Sequence, residues 1–175
     1  EANKLLNRLA EHSQNLHDMA LLSLHCGLRC GEIFKLTWDD LDFDQRTIHI
    51  RDAKANKDRF AYMTLKVLDM FKSRYELSEN KLIFPNRKGR ERQTLSGVFQ
   101  DTVRELGLND NVSNDREKIC FHSLRHTFAS WQVQSGMDLY TLQKLLGHES
   151  FSMVQRYAHL APENLREATA IFDNR

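Results

Sequence analysis

The sequence predicts a mainly helical α+β domain with one small antiparallel β-sheet near its N-terminal third, and three observations predict it. Apolar residues recur at spacings of three and four through most of the 175 residues, the period of an amphipathic helix. Two short runs, at 47–51 and 59–64, alternate instead, as half-buried strands do. Glycine and proline number only 7 and 2, too few to punctuate a loop-rich or all-β chain.

Taken in order, Leu5, Leu6 and Leu9 begin a first helix, and Asn15 is the expected cap of a second that carries Leu16, Met19, Ala20, Leu22 and Leu24. A third, short helix is expected over 29–36. Thr47–Arg51 (TIHIR) and Arg59–Thr64 (RFAYMT) flank the polar link AKANKD and read as a hairpin. Helical spacing resumes over 65–77. The run Leu82–Phe84 stops at Pro85, and Asn86–Gln93 (NRKGRERQ) is a basic loop. From Thr94 onward the spacing is helical, over 94–106, 122–135, 138–146, 150–157 and 162–172, with 109–118 as a polar connector. No internal repeat or low-complexity tract interrupts it, so 1–175 reads as one domain.

Charge is nearly balanced, 25 Lys+Arg against 24 Asp+Glu, but unevenly spread. Residues 1–50 carry −3, residues 51–100 carry +6 and residues 101–175 carry −2. The middle third is a local basic surface on a balanced protein. No apolar run reaches the ~18–20 residues that cross a bilayer, and no signal peptide opens the chain; membrane association is not expected. The chain opens without Met, already inside a helical pattern, and reads as a piece of a longer protein. Three cysteines, Cys26, Cys30 and Cys120, suit a reducing, cytoplasmic setting. Cys26 and Cys30 beside His25 read as core residues, since no second cluster completes a metal site.

Three segments set charged and polar residues into otherwise apolar helical patterns. The first is Gly27-Leu28-Arg29-Cys30-Gly31-Glu32. In the second, His122-Ser123-Leu124-Arg125-His126-Thr127, His122 and Arg125 stand three apart and share a helix side. The third is Leu146-Gly147-His148, followed nine residues on by Tyr157. Singly, each has a plain explanation: a surface ion pair, a helix start, a helix stop, a half-buried aromatic. Together they hold what a phosphodiester requires. A guanidinium matches phosphate oxygens with paired donors and keeps its charge, and a tyrosine hydroxyl is a covalent nucleophile once a neighbour takes its proton.

HSLRHTFAS followed by LGHESFSMVQRYAHL, with GLRCGEIFKLTWDDLDF upstream, resembles the catalytic domain of the tyrosine recombinases, the phage-integrase family. The likeness runs from about Leu16 to Leu165. It implies that family's mainly helical fold with a small sheet, and a site-specific recombinase or integrase of a prophage or mobile element that breaks and rejoins DNA through a 3′-phosphotyrosine. In roles implied by the resemblance, Arg29 and Arg125 clamp the scissile phosphate, Tyr157 is the nucleophile, His122 helps take its proton and His148 is a further phosphate donor. Glu32 is the supporting acid. The family places a general-acid lysine in the hairpin turn, which makes Lys54 the first candidate and Lys57 the second.

No cofactor and no metal are expected, because a phosphotyrosine retains the energy of the broken ester and the cations replace metal charge. Double-stranded DNA is the expected partner, with Arg51, Lys57, Arg59, Arg87, Lys88 and Arg90 as candidate phosphate contacts. A homotetramer on synapsed DNA is implied, the isolated piece being a monomer in solution. The last helix, with Leu165, Ala168, Ile171 and Phe172 on one stripe, packs on its own domain or docks on a neighbouring protomer. A nucleoid-associated protein of bacterial or phage origin is implied, whose N-terminal core-binding domain lies outside this chain. The chain departs from the family's pattern at Cys26, where Thr or Ser is usual before Gly-Leu-Arg, and at Met63-Thr64, where a proline commonly follows the hairpin.

Other readings are a type IB-like topoisomerase, a helical DNA-binding module without catalysis, and a zinc hydrolase using His122 and His126. The last is disfavoured because the helical zinc motif needs Glu directly after the first His, where Ser123 stands.

Overall fold

A computed structural model describes residues 1–51 and 58–162. Lys54, Lys57 and all but the first residue of the expected last helix lie outside them. The described residues divide into two compact units, one up to Phe128 and one from Ala129 onward, with the division inside one helix.

The first unit starts with helices α1 (Ala2–His12) and α2 (Gln14–Cys26). Leu5, Leu6 and Leu9 of α1 are buried, and α2 is buried almost all round, as expected of a helix at the centre of a domain. The N-cap of α2 is Ser13, whose hydroxyl accepts from the Leu16 N–H at 3.3 Å. Asn15, the expected cap, sits one residue inside the helix and accepts instead from the Arg74 guanidinium at 2.8 Å. A serine hydroxyl and an asparagine amide cap equally well, so composition alone could not choose between them. The buried Asp18 is held by Arg74 at 2.5 Å and His17 at 2.8 Å. Burial pushes its carboxyl upward, but the hydrogen bonds from His17 and Arg74 outweigh that and hold it below the usual carboxylate range.

Helix α3 (Cys30–Lys35) follows, then a single 3-10 turn (Trp38–Asp40). The sheet has three antiparallel strands in sequence order: β1 (Leu41–Asp42), β2 (Thr47–Ile50) and β3 (Arg59–Tyr62). Ile48 pairs with Ala61 and Ile50 with Arg59, so Ile48, Ile50 and Ala61 face the core while His49, Phe60 and Tyr62 line the open face. The alternating runs predicted β2 and β3. β1 escaped notice because two residues display no period. Helix α4 (Leu65–Tyr75) matches the expected 65–77, α5 (Val98–Glu105) is shorter than the expected 94–106, and α6 spans Phe121–Gln134.

In the second unit, helix α7 (Leu139–Leu146) starts at Asp138, whose carboxylate accepts from the Tyr140 and Thr141 N–H groups at 3.0 and 2.9 Å. It ends at Gly147 in the left-handed region, φ 63°, where a Cβ would be strained. Helix α8 (Ser152–Gln155) is a single turn within the expected 150–157.

Candidate active site

The first unit gathers the two arginines that the motifs singled out. Gly27 ends α2 with φ 67°, and this left-handed turn aims its carbonyl at Arg125, which donates to it from Nη1 at 2.5 Å. Arg29 is the N-cap of α3, and Glu32, at the third helical position, reaches back to accept from the Arg29 N–H at 2.6 Å. This is the return half of a capping box; a guanidinium has no acceptor with which to supply the other half. The same carboxylate binds Arg29 Nη1 at 2.9 Å through Oε1 and lies 3.8 Å from Arg125 Nη1 through Oε2. Arg29 and Arg125, 96 positions apart in sequence, therefore meet on one carboxylate.

Arg125 is 2% exposed. A buried guanidinium carries a desolvation penalty of several kcal/mol unless it is paired, and the Gly27 carbonyl and Glu32 serve that purpose. His122, one turn earlier on α6, is exposed, and its ring stands edge-on to His126 with centroids 4.6 Å apart. The N-terminus of α6 is closed by Ser123, whose hydroxyl accepts from the Cys120 N–H at 3.0 Å.

Arg59, a candidate phosphate contact, is largely buried. Its side chain is only 11% exposed and its Nη2 donates to Glu32 Oε2 at 2.8 Å. Charge counting could not separate it from Arg51, which is 59% exposed and paired with Asp40 at 2.7 Å; strand register does, because Arg59 is the first paired residue of β3. Arg87, Lys88 and Arg90 lie exposed in their loop, where Asn86 Oδ1 accepts from the Lys88 and Arg90 N–H groups.

The second unit carries His148 and Tyr157. The His148 N–H bonds back to the Gln143 carbonyl at 3.0 Å, past the left-handed Gly147, and Gln143 Nε2 donates to the His148 carbonyl at 3.1 Å, so the helix stop itself fixes this residue. Tyr157 follows α8, is buried at 6% exposure and donates its N–H to Val154.

The two departures from the family's pattern adjoin each other. Cys26 is buried and takes a backbone hydrogen bond from Thr64; burial nevertheless pushes its thiol up to about 12. A proline at 64 would have no N–H to give. Cys30 is pushed up to about 11 by burial, whereas Cys120 is exposed. Among the described residues no group of three His, Cys, Asp or Glu side chains is placed to hold a metal ion. A groove of about 1290 Å³ along α1, α2 and α4 is lined by Asp18 and Arg74 and by none of the arginine cluster around Glu32. No described helix is long and apolar enough to cross a membrane.

Two arginines from separate elements thus meet on one carboxylate, with an exposed histidine one turn before the second of them. The Phage integrase family model matches residues 1–164, and the chain belongs to that family. It is 30% identical over 183 residues to the integrase of Salmonella phage P22, covering 99% of this chain and 46% of that one. The catalytic domain of bacteriophage HP1 integrase superposes with a TM-score of 0.69 at 25% identity, covering 97% of this chain and 89% of that one. XerH site-specific recombinase bound to difH substrate, in a pre-cleavage complex, superposes with a TM-score of 0.71 at 26% identity, covering 98% and 52%. The chain thus spans about half the length of the curated relative it matches.

Proposed function

We propose that this chain is the catalytic domain of a site-specific recombinase or integrase of a prophage or mobile element, cutting and rejoining double-stranded DNA through a 3′-phosphotyrosine. The observation that carries the reading is the meeting of Arg29 and Arg125 on Glu32. Two guanidinium groups held this way present fixed donors to the non-bridging oxygens of a phosphodiester. Their charge is in place before the pentacoordinate transition state forms, so little reorganisation is needed.

In the proposed reaction the Tyr157 oxygen attacks phosphorus in line with the 5′-oxygen. The P–O bond to that oxygen breaks as the bond to tyrosine forms. His122 takes the phenol proton, and Lys54, or failing it Lys57, gives a proton to the leaving 5′-oxygen. His148 adds a further donor to the phosphate. Attack by a different 5′-hydroxyl reverses these steps and joins the new strand, with one ester exchanged for another. The exposed Arg51, Arg87, Lys88 and Arg90 would hold the flanking backbone. Four copies on two synapsed duplexes would complete the exchange, in a nucleoid-associated setting.

The test is incubation with a nicked suicide duplex containing the recombination site, followed by denaturing electrophoresis. A covalent protein–DNA adduct is expected, in EDTA as well as in magnesium, and Tyr157→Phe should abolish it with DNA affinity nearly intact. An adduct that survives Tyr157→Phe would overturn the assignment. Relaxation of supercoils without exchange between two sites would favour a topoisomerase.

A further inference from the structure

We propose that Arg59 is a positioning residue of the strand-cleavage site: its guanidinium neutralises Glu32 and so leaves Arg29 and Arg125 available to the scissile phosphate. The inference rests on the reading of the site given above. Glu32 is asked to do two things that conflict. It orders Arg29, through the main-chain N–H at 2.6 Å and Nη1 at 2.9 Å. It also brings a negative charge next to the place where an anion must bind. An unopposed carboxylate there would repel the phosphate and draw both clamp arginines toward itself.

Arg59 resolves the conflict by geometry. Its Nη2 takes Oε2 at 2.8 Å, and Arg125 Nη1 stands off the same oxygen at 3.8 Å, bonded instead to the Gly27 carbonyl. The four side chains together carry three positive charges and one negative. The low exposure of Arg59, 11% for the side chain, suits a group that acts through Glu32 rather than by touching open DNA. Its place matters as well. Arg59 pairs with Ile50 at the end of the β2–β3 ladder, so the ion pair ties that end of β3 to the start of α3.

The experiment measures single-turnover adduct formation at saturating protein on the nicked suicide duplex, for Arg59→Gln, Arg59→Lys, Glu32→Gln and the Arg59→Gln/Glu32→Gln double variant. Arg59→Gln should slow cleavage about 10–100-fold, as loss of a residue supporting a site does, while Arg59→Lys keeps most of the rate. Groups that act as one unit are not additive, so the double variant should be no slower than Glu32→Gln alone. On a duplex whose scissile phosphate is a neutral methylphosphonate the Arg59→Gln defect should shrink, because an unmasked carboxylate no longer meets an anion.

Defects that multiply in the double variant, a Lys variant as slow as the Gln variant, or a defect unchanged on the methylphosphonate would each overturn the proposal. If Arg59→Gln does not fold, recovery of folding in the double variant supports the pairing and continued failure counts against it. A wild-type chain that forms no adduct at all would instead sink the reading of the reaction, and the role of Arg59 with it.

Discussion

The arginine cluster and the tyrosine-bearing segment are built in opposite ways. The cluster joins the turn after α2, the start of α3, the first residue of β3 and one face of α6. Its bonds bridge 27 positions from Glu32 to Arg59 and 98 from Gly27 to Arg125. The backbone around Tyr157 is framed locally: Val154 to Tyr157, Tyr157 to Leu160, and a helix of a single turn. A charge clamp for a transition state gains from being fixed in advance. An element framed by bonds of short sequence separation opens at lower free energy than one braced across the core. The cations are thus fixed in the body of the first unit, while Tyr157, the proposed nucleophile, follows a helix of one turn.

Substitutions on the two sides should separate these designs. The largest effect is expected from Arg125→Ala. Loss of one fixed transition-state donor costs about 10²–10³-fold, and single-turnover cleavage should fall by at least that much, along with stability, since the pairing around Glu32 is broken. A fall below tenfold would show that the clamp is less committed than its bonding suggests. Next comes Gly147→Ala, which forces a left-handed φ on a residue with a Cβ. Stability should drop by about 1–2 kcal/mol, read by denaturant unfolding, and amide exchange over 146–160 should quicken while 26–35 holds its protection. Equal quickening in both stretches would erase the contrast.

The smallest effect concerns acidity on the cluster side. His25 closes α2 just before Gly27, and burial, with Lys66 nearby, holds its imidazole below the ordinary histidine range. The unfolded chain therefore takes up this proton more readily than the folded one. Stability from His25 is present above about pH 6.5 and is lost as pH falls through the lower folded value. The ring is only partly buried, so solvent screening should keep the loss small. His25→Gln should flatten the pH dependence of unfolding below about pH 6.5; an unchanged slope would assign that dependence elsewhere.

How much of this was legible depended on what each feature needs in order to exist. Helices and the β2–β3 hairpin follow from periodicity, and the motif residues of both units could be named because their order is itself the signal. The placement of Arg29 against Arg125 could be expected only through family likeness, since no local pattern links positions 96 apart. Cap choice at Ser13 over Asn15 turned on Arg74 claiming the amide, a contact 59 positions away. The low exposure of Arg59 could not be read from the sequence for a similar reason. Lys57 and Asp58 before it are charged, but its register partner Ile50 is buried and its ion-pair partner Glu32 belongs to another element. Lys54 and Lys57 lie outside the described residues, so their order of preference still rests on the hairpin motif.

The three thiols are so unequal that the chain comes with its own labelling handle. With Cys26 and Cys30 held far above neutrality by burial and Cys120 open to solvent, a maleimide dye at neutral pH will collect on one position, since the thiolate is the reacting form. That position lies two residues before His122, so a fluorophore placed there would report on DNA binding at the proposed phosphate clamp, without any cysteine having been added or removed.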